Sequence, residues 1–344
     1  MKQFQVARNR TCHQKGACAV IGVREIARLA GVSPATVSRV INGSAGVDAE
    51  KRKRVESVIA QTNYVPNETA RSLYRKSSRI IGLIIPSIRN PYFTEMASVI
   101  DEEVKAQGFR LFVCNVGNDL AQQRSALQML TAMNVDGVIV ATTQPEIQEE
   151  LAQCTIPVVV LDGLFDTTAV NAYVHCDYYQ GGRMAMEHLL KCGCKNIVCV
   201  RGPEEVFSAD ARYEGYRDVC EERGITQKVV TCDYDFDAGL AITEELLKTW
   251  PEVNGIVACN DIVAISIYKI LHRKNIDVPG QIQLIGFDDV SFSGLMSPGL
   301  STIRQPIAQL GQRATQLLLS GKGAPKEGKR EVLPVTLICR ETTQ

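Results

Sequence analysis

The sequence predicts an α/β protein in two unlike parts: a small all-α unit at the N-terminal end, then a two-lobed core of doubly wound parallel sheets. Three observations carry this. Residues 23–64 hold short amphipathic helical segments bounded by Gly and Ser-Pro signals, whereas from residue 80 apolar runs of strand length alternate with amphipathic helices. Charge divides at the same place: residues 1–79 contain 15 Lys and Arg against 5 Asp and Glu, and the rest 23 against 33. A net charge of zero therefore conceals a basic head on an acidic body, the pattern of a nucleic-acid-binding piece carried by something with another task. The length, 344 residues, exceeds what one hydrophobic core fills.

Composition excludes several classes. With 45% hydrophobic residues the chain can bury a sizeable core, which rules out a disordered tail. It has no run of 18 apolar residues, and its first residues lack the apolar block of a signal peptide, so a cytoplasmic protein without a membrane segment is expected. Of twelve Cys, most stand singly in apolar runs, as Cys114, Cys199 and Cys259 do, and read as small buried hydrophobes kept reduced. His188, Cys192 and Cys194 resemble ligands at a helix end, but no second pair follows at zinc spacing. Neither a metal nor a cofactor is expected.

The elements follow in order. Val23–Ala30 reads as a first helix stopped by Gly31. Ser33 caps a second, Pro34–Asn42, with Pro34 at the first position, where a missing N–H costs nothing. Asp48 starts a third, basic helix with Val55, Val58 and Ile59 inward. Helix, tight Gly turn and short capped helix make a helix-turn-helix. The polar stretch 67–78 has one apolar pair, Ala70 and Leu73, and is too short to be a stable helix alone. Buried parallel strands are predicted at 80–86, 109–115, 136–141, 158–162, 196–202, 228–234, 255–261 and 282–289. Helices are predicted at Phe93–Gln107, Tyr179–Lys191, Ala211–Arg223 and Ala238–Lys248 between them. Two such βα arrays make two lobes with a cleft at the carboxyl ends of the strands, where ligands bind.

Enzyme signatures are weak. There is no G-x-G-x-x-G after the first strand, no P-loop and no G-x-S-x-G. Asp288 and Asp289, adjacent at a strand end, point apart and do not share acid–base work. Gly181 and Gly182 could hold a phosphate at a helix start, and tight helix packing explains them as well. Asp233, Asp235, Asp237 and Glu244 mimic calcium-loop positions, but Ala238 stands where the turn glycine belongs.

The stretch VREIARLAGVSPATVSRVINGSAGVDAEKRKRVESVIAQTNYVPNETARSL (23–73) strongly resembles the DNA-binding headpiece of the LacI/GalR repressors. NPYF (90–93), DGVIVA (136–141), RYEGYR (212–217), CNDIVAI (259–265), GFDD (286–289) and LSTIRQP (300–306) are similar, in order and spacing, to that family's periplasmic-binding-protein-like core. Within the family, the core is most similar to the branch that includes ribose repressors. The leader, 1–22, lies outside the resemblance and is expected to be disordered. The expected divisions are a headpiece at 23–65, a hinge helix or linker at 66–79, and a core at 80–344. The core's first lobe is 80–177 with 307–333, and its second is 178–306 with 334–344.

The resemblance implies a repressor rather than an enzyme, a homodimer on double-stranded palindromic operator DNA, tuned by a monosaccharide between the lobes. The expected DNA contacts are Ser33, Pro34, Ala35, Thr36, Ser38, Arg39 and Asn42. Short Pro34 and Ala35 let the backbone enter the major groove and touch thymine methyls, and Arg39 can donate bidentately to guanine. In the hinge, Asn67, Ala70 and Leu73 are expected in the minor groove, Leu73 as a wedge. The expected effector set is Tyr92, Phe93, Asp162, Arg212, Tyr234, Asn260 and Asp288: aromatic faces around the sugar, charged and amide groups on its hydroxyls. Apolar Val206 and Phe207 before Arg212 favour a ribose-like pentose over a purine. The alternatives are a purine-responsive repressor, or a sugar-binding or sugar-processing protein with a vestigial headpiece.

Overall fold

The computed structural model describes residues 21–64, 77–141, 145–164, 170–323 and 325–344. The chain divides into two compact units, Met1–Lys76 and Ser77–Gln344.

In the first unit, α1 (Val23–Ala30) stops at Gly31, whose φ of 64° is left-handed and turns its N–H back onto the Ala27 and Arg28 carbonyls. α2 (Pro34–Ile41) begins where Ser33 Oγ accepts from the Thr36 N–H at 3.2 Å. Asn42 is its C-cap and not its last residue. α3 (Ala49–Thr62) begins where Asp48 Oδ1 accepts from the Lys51 N–H. Val37 and Val40 pack with Ile26, Ala27, Ala30 and Val55 into a closed core, with Val58 and Ile59 partly buried against it. At about 1.5–3 kcal/mol for a fully buried Val or Ile, these few side chains are what orders so small a unit.

In the second unit, one lobe is built from β1 (Ile80–Ile85), α4 (Pro91–Ala106), β2 (Arg110–Asn115), α5 (Leu120–Ala132), β3 (Gly137–Ala141), α6 (Gln148–Gln153), β4 (Val158–Leu161) and β5 (Ala172–Cys176). The chain crosses into α7 (Tyr178–Lys191), β6 (Ile197–Arg201), α8 (Phe207–Arg223), β7 (Val229–Thr231), α9 (Phe236–Thr249), β8 (Gly255–Ala258) and α10 (Asp261–Arg273). β9 (Gln283–Asp288), α11 (Ser291–Leu295) and β10 (Ser301–Arg304) complete that lobe's run. The chain then returns to the first lobe for α12 (Ile307–Ser320) and β11 (Lys329–Leu333), and ends in the second with β12 (Thr336–Ile338). The sheets run β11-β5-β4-β3-β1-β2 and β12-β10-β9-β8-β6-β7. The central pairings are parallel, and β12 runs antiparallel to β10. No helix among the described residues is long and apolar enough to cross a membrane.

Several element boundaries differ from expectation for identifiable reasons. α8 begins at Phe207, not Ala211, because its N-cap, Val206, carries no capping side chain that would mark the start. α4 and α9 begin earlier than expected, at the Asn90 and Asp235 caps. β5, β10, β11 and β12 were not expected: β11 (KREVL) is a charged edge strand, and STIR and TLI are short.

The close crossing of α7 and α8 bears directly on the cleft. A Cβ on Gly182 would lie 1.9 Å from the Arg212 carbonyl oxygen, and one on Gly215 would lie 2.1 Å from the Tyr179 carbonyl oxygen. These glycines let two backbones touch, which accounts for Gly182 by packing. Gly182→Ala is expected to force the helices apart and cost about 1–3 kcal/mol. Urea unfolding measures this, and an unchanged midpoint would contradict the crossing as described.

Candidate nucleic-acid interface and small-molecule cleft

On α2, Pro34, Ala35, Ser38 and Arg39 are exposed and Thr36 and Asn42 half-buried, while Val37 and Val40 face the core. At 100° per residue these outward positions share one side of the helix. Its polar groups are pre-ordered: Ser33 Oγ lies 2.9 Å from Thr36 Oγ1, and Asn42 Nδ2 donates to Ser38 Oγ at 3.3 Å. Arg52 of α3 donates to the Ser44 carbonyl at 3.0 Å, tying the loop after α2 to the third helix. Asn67, Ala70 and Leu73 lie outside the described residues.

The second unit encloses a cavity of about 530 Å³ between its lobes, inside the range of roughly 300–1,000 Å³ common for small-molecule sites. Tyr92, Phe93, Asp162, Arg212, Tyr234, Asn260 and Asp288 all line it. Tyr92 and Phe93 stand in the first turn of α4, started by Asn90 Oδ1 accepting from the Tyr92 N–H at 3.1 Å. Asp162 follows β4 with a φ of 56° and accepts from the Tyr178 hydroxyl. Three placements differ from expectation. Arg212 stands in the second turn of α8 rather than opening a helix, and Tyr234 lies beyond β7, which ends at Thr231. Asn260 lies beyond β8 and caps α10, its Oδ1 accepting from the Val263 N–H at 2.8 Å.

Arg212 dominates the cleft's electrostatics. Its guanidinium carbon lies 3.8 Å from the Phe287 ring centroid and 5.0 Å from that of Tyr178. One terminal nitrogen donates to the Cys259 carbonyl at 2.7 Å, and the other lies 3.6 Å from Asp288 Oδ1. Among the described residues, Arg212 Nε is buried with no hydrogen-bond partner, and the Tyr234 hydroxyl, though close to Ser208, makes no bond of acceptable geometry. Burial drives the Asp288 carboxyl up and Arg212 opposes it; the same two influences act on Asp162.

The turn after β9 aims these groups. Asp288 and Asp289 have φ values of 121° and 58°, a costly pair for side-chain-bearing residues. The turn is held from beneath. Asp261 accepts from the Val290 N–H at 3.0 Å, Ser293 Oγ at 2.6 Å and Thr302 Oγ1 at 2.6 Å. Asp289 pairs with Arg304 at 2.6 Å and Arg340 at 2.7 Å, leaving Asp288 alone of the two in the cleft.

The family described as "Bacterial regulatory proteins, lacI family" matches residues 23–67, and "Periplasmic binding proteins and sugar binding domain of LacI family" matches residues 78–338. The chain belongs to the LacI family. It is similar to the ribose operon repressor of Halalkalibacterium halodurans, 38% identical over 94% of this chain and 97% of that one. Its fold is similar to that of the lac repressor dimer bound to operator and the anti-inducer ONPF. The TM-score is 0.82 at 26% identity, over 94% and 98% of the two chains. A LacI family transcriptional regulator from Enterococcus faecium with bound ribose matches with a TM-score of 0.69 at 30% identity, over 77% of this chain and 98% of that one.

Other positions of the LacI-family cleft escaped sequence reasoning. Ser87, Arg89 and Ser208 also line the cavity and sit in no motif that marks it, and Asp233, Asp235 and Asp237, whose spacing mimics a calcium loop, line it too. Asp235 Oδ1 accepts from the Ala238 N–H at 2.9 Å as a helix cap, and Glu244 pairs with Lys274, so neither acts as a calcium-loop ligand in this arrangement. His188 Nε2 lies 2.8 Å from Thr343 Oγ1, and Cys194 Sγ donates to the Asn254 carbonyl.

Burial pushes the Asp261 carboxyl up to about 7 despite its three donors. The folded chain therefore holds that proton where the unfolded chain has released it. The resulting stabilisation is present at low pH and is lost as pH rises from about 4, the unfolded value, towards 7. Asp261→Asn is expected to reduce the fall in melting temperature across that interval. Calorimetric melts at half-unit pH steps check this, and an unaltered slope contradicts it.

Proposed function

We propose that this LacI-type DNA-binding repressor acts as a cytoplasmic homodimer on a palindromic operator and is tuned by a neutral monosaccharide, ribose or a close pentose. One observation carries the reading: a capped helix-turn-helix with an outward polar face shares a chain with a cleft where an incompletely paired Arg212 faces Asp288 and Asn260 also lines the wall. Hydroxyl groups, each both donor and acceptor, complete such a set. The relatives support the ligand class, since one is named for the ribose operon and another holds ribose.

Roles follow from position. Pro34, Ala35, Ser38 and Arg39 read bases, while Ser33, Thr36 and Asn42 order the helix and meet phosphates. Asn67, Ala70 and Leu73 serve the hinge. In the cleft, Phe93 and Tyr234 offer faces to the sugar ring and Arg212, Asn260, Asp162 and Asp288 bind its hydroxyls. Tyr92 is oriented by Gln305, to which it donates at 3.2 Å. Five aspartates against Arg89 and Arg212 line the cavity, which disfavours an anionic ligand such as a sugar phosphate. The chain is read as a non-enzyme because its relatives are repressors and Asp289 is engaged by two arginines instead of acting with Asp288. Phe112 and Val113 on edge strand β2, with Phe292 and Leu295 on α11, expose apolar side chains that a second copy could cover.

Two variants test the division of labour. Arg39→Ala is expected to weaken operator binding by about 1–3 kcal/mol and to relax preference at one base pair. Asp288→Ala is expected to keep operator binding but lose the response to ribose. Fluorescence anisotropy with operator and calorimetry with ribose and hypoxanthine measure both. Hypoxanthine binding without ribose binding would move the chain to the purine-responsive reading, and equal damage to both activities in both variants would overturn the assignments.

A further inference from the structure

We propose that Asp136 is a positioning residue for DNA binding: with Lys322 it clamps residues 77–79, through which the chain enters the core, and so lets α12 pass the state of the cleft to that segment. The response to a ligand rests on the sugar reading above, whereas the clamp itself does not.

Ser77 opens the second unit, and it and the next two residues each donate to one carboxylate oxygen. Asp136 Oδ2 accepts from the Arg79 N–H at 2.7 Å, the Ser77 hydroxyl at 2.9 Å and the Ser78 hydroxyl at 3.2 Å. Lys322 Nζ holds the other oxygen. Asp136 immediately precedes β3, and its own N–H donates to the Ile80 carbonyl at 2.8 Å, so its main chain and side chain both grip the entry to β1. The Asp136 side chain is 2% exposed, whereas that of Lys322 is half exposed. Arg79 has a left-handed φ of 56°, a conformation that a side-chain-bearing residue keeps only where its surroundings impose it.

Charge is what makes one side chain enough for this. An ionised carboxylate only accepts, and hydrogen bonds to it are stronger than those between neutral groups. Burial opposes the charge, and the donors Lys322, Ser77 and Arg79 together outweigh it, holding the Asp136 carboxyl below its usual value. A segment already fixed in this way loses less conformational entropy when the unit it leads to settles on DNA.

Lys322 connects the clamp to the cleft. It lies two residues beyond α12, the helix that starts where the chain returns from the second lobe. A Cβ on Gly311 of α12 would lie 2.7 Å from Val99 Cγ1 of α4, and one on Gly137 would lie 2.9 Å from Leu318 Cγ of α12. α12 is thus packed hard against the helix that carries Tyr92 and Phe93, and against the residue beside Asp136. A change in lobe separation that moves α12 is felt at Lys322.

Asp136→Asn, Lys322→Met and Lys322→Arg in the full chain test this. Fluorescence anisotropy gives operator affinity without ligand and with saturating D-ribose, calorimetry gives ribose affinity, and melts fix a temperature at which every variant is folded. Asp136→Asn and Lys322→Met are expected to bind operator about tenfold more weakly and to shrink the ribose-induced shift in operator affinity about threefold or more. Their ribose affinity without DNA should stay within about twofold of the parent's, because the clamp and the cleft share no side chain. Lys322→Arg keeps a cation in reach and should retain both operator readings. A merely structural Asp136 would lower the melting temperature while leaving operator affinity and shift unchanged. Parent-like operator affinity and shift in both variants, or a Lys322→Arg protein as impaired as Lys322→Met, overturns the proposal. So does a loss of ribose affinity that matches the loss of operator affinity, the mark of general damage to the fold. If the parent itself takes no ribose, the sugar reading fails, and the ligand-free operator affinities alone decide the clamp.

Discussion

A buried guanidinium, only partly hydrogen-bonded among the described residues, facing a buried carboxylate is the constraint on which the rest of the cleft depends. Ions out of water are costly unless paired and hydrogen-bonded. Arg212 has aromatic rings against it and one carbonyl as a close partner, yet its Nε has none among the described residues and Asp288 stands 3.6 Å away. The fold tolerates this because other groups hold the pair apart in a fixed geometry. Asp261, Arg304 and Arg340 anchor the turn that carries Asp288, and Gln305 supplies its nearest side-chain donor. A polyhydroxylated ligand gains most where donors and acceptors are already placed and dry.

The scaffold explains why the site lies where it does. Parallel strands place their carboxyl ends on one side, and both sheets turn those ends towards the cleft. Gly182 and Gly215 allow α7 and α8 to touch backbone to backbone, which sets the depth at which Arg212 enters. The helix-turn-helix unit needs less: three capped helices around Val37, Val40 and Val55 suffice to present the outer side of α2. A ligand alters DNA binding only if it has different affinities for the DNA-competent and incompetent states, so the bridges that cross the cleft, Tyr92 to Gln305 and Glu95 to the Ser291 N–H, are where such a difference can arise.

Much of this was legible in the sequence where the local chemistry is self-sufficient. Ser33-Pro34, Asp48 and Gly31 are cap residues: α1 ends at Gly31, α2 begins at Ser33 and α3 at Asp48. The buried central strands are continuous aliphatic runs, and the cleft residues follow them in order. What escaped depends on tertiary context. α8 has no capping side chain, so Arg212 was assigned to the wrong turn. β11 pairs with β5 from far back in the chain, Lys329 opposite Ala172, and its KREVL pattern resembles a loop. Gln305 is one glutamine at a crossover, and only its contacts with Asp288 and Tyr92 give it meaning.

The most direct measurement is thermodynamic linkage in the full-length chain: operator affinity at rising ribose, and ribose affinity with and without saturating operator. Reciprocity requires both shifts to have the same factor, expected at about 5- to 150-fold. Equal, non-unit factors are the predicted result. Two binding events that occur with no effect on one another would contradict a cleft built to govern DNA binding.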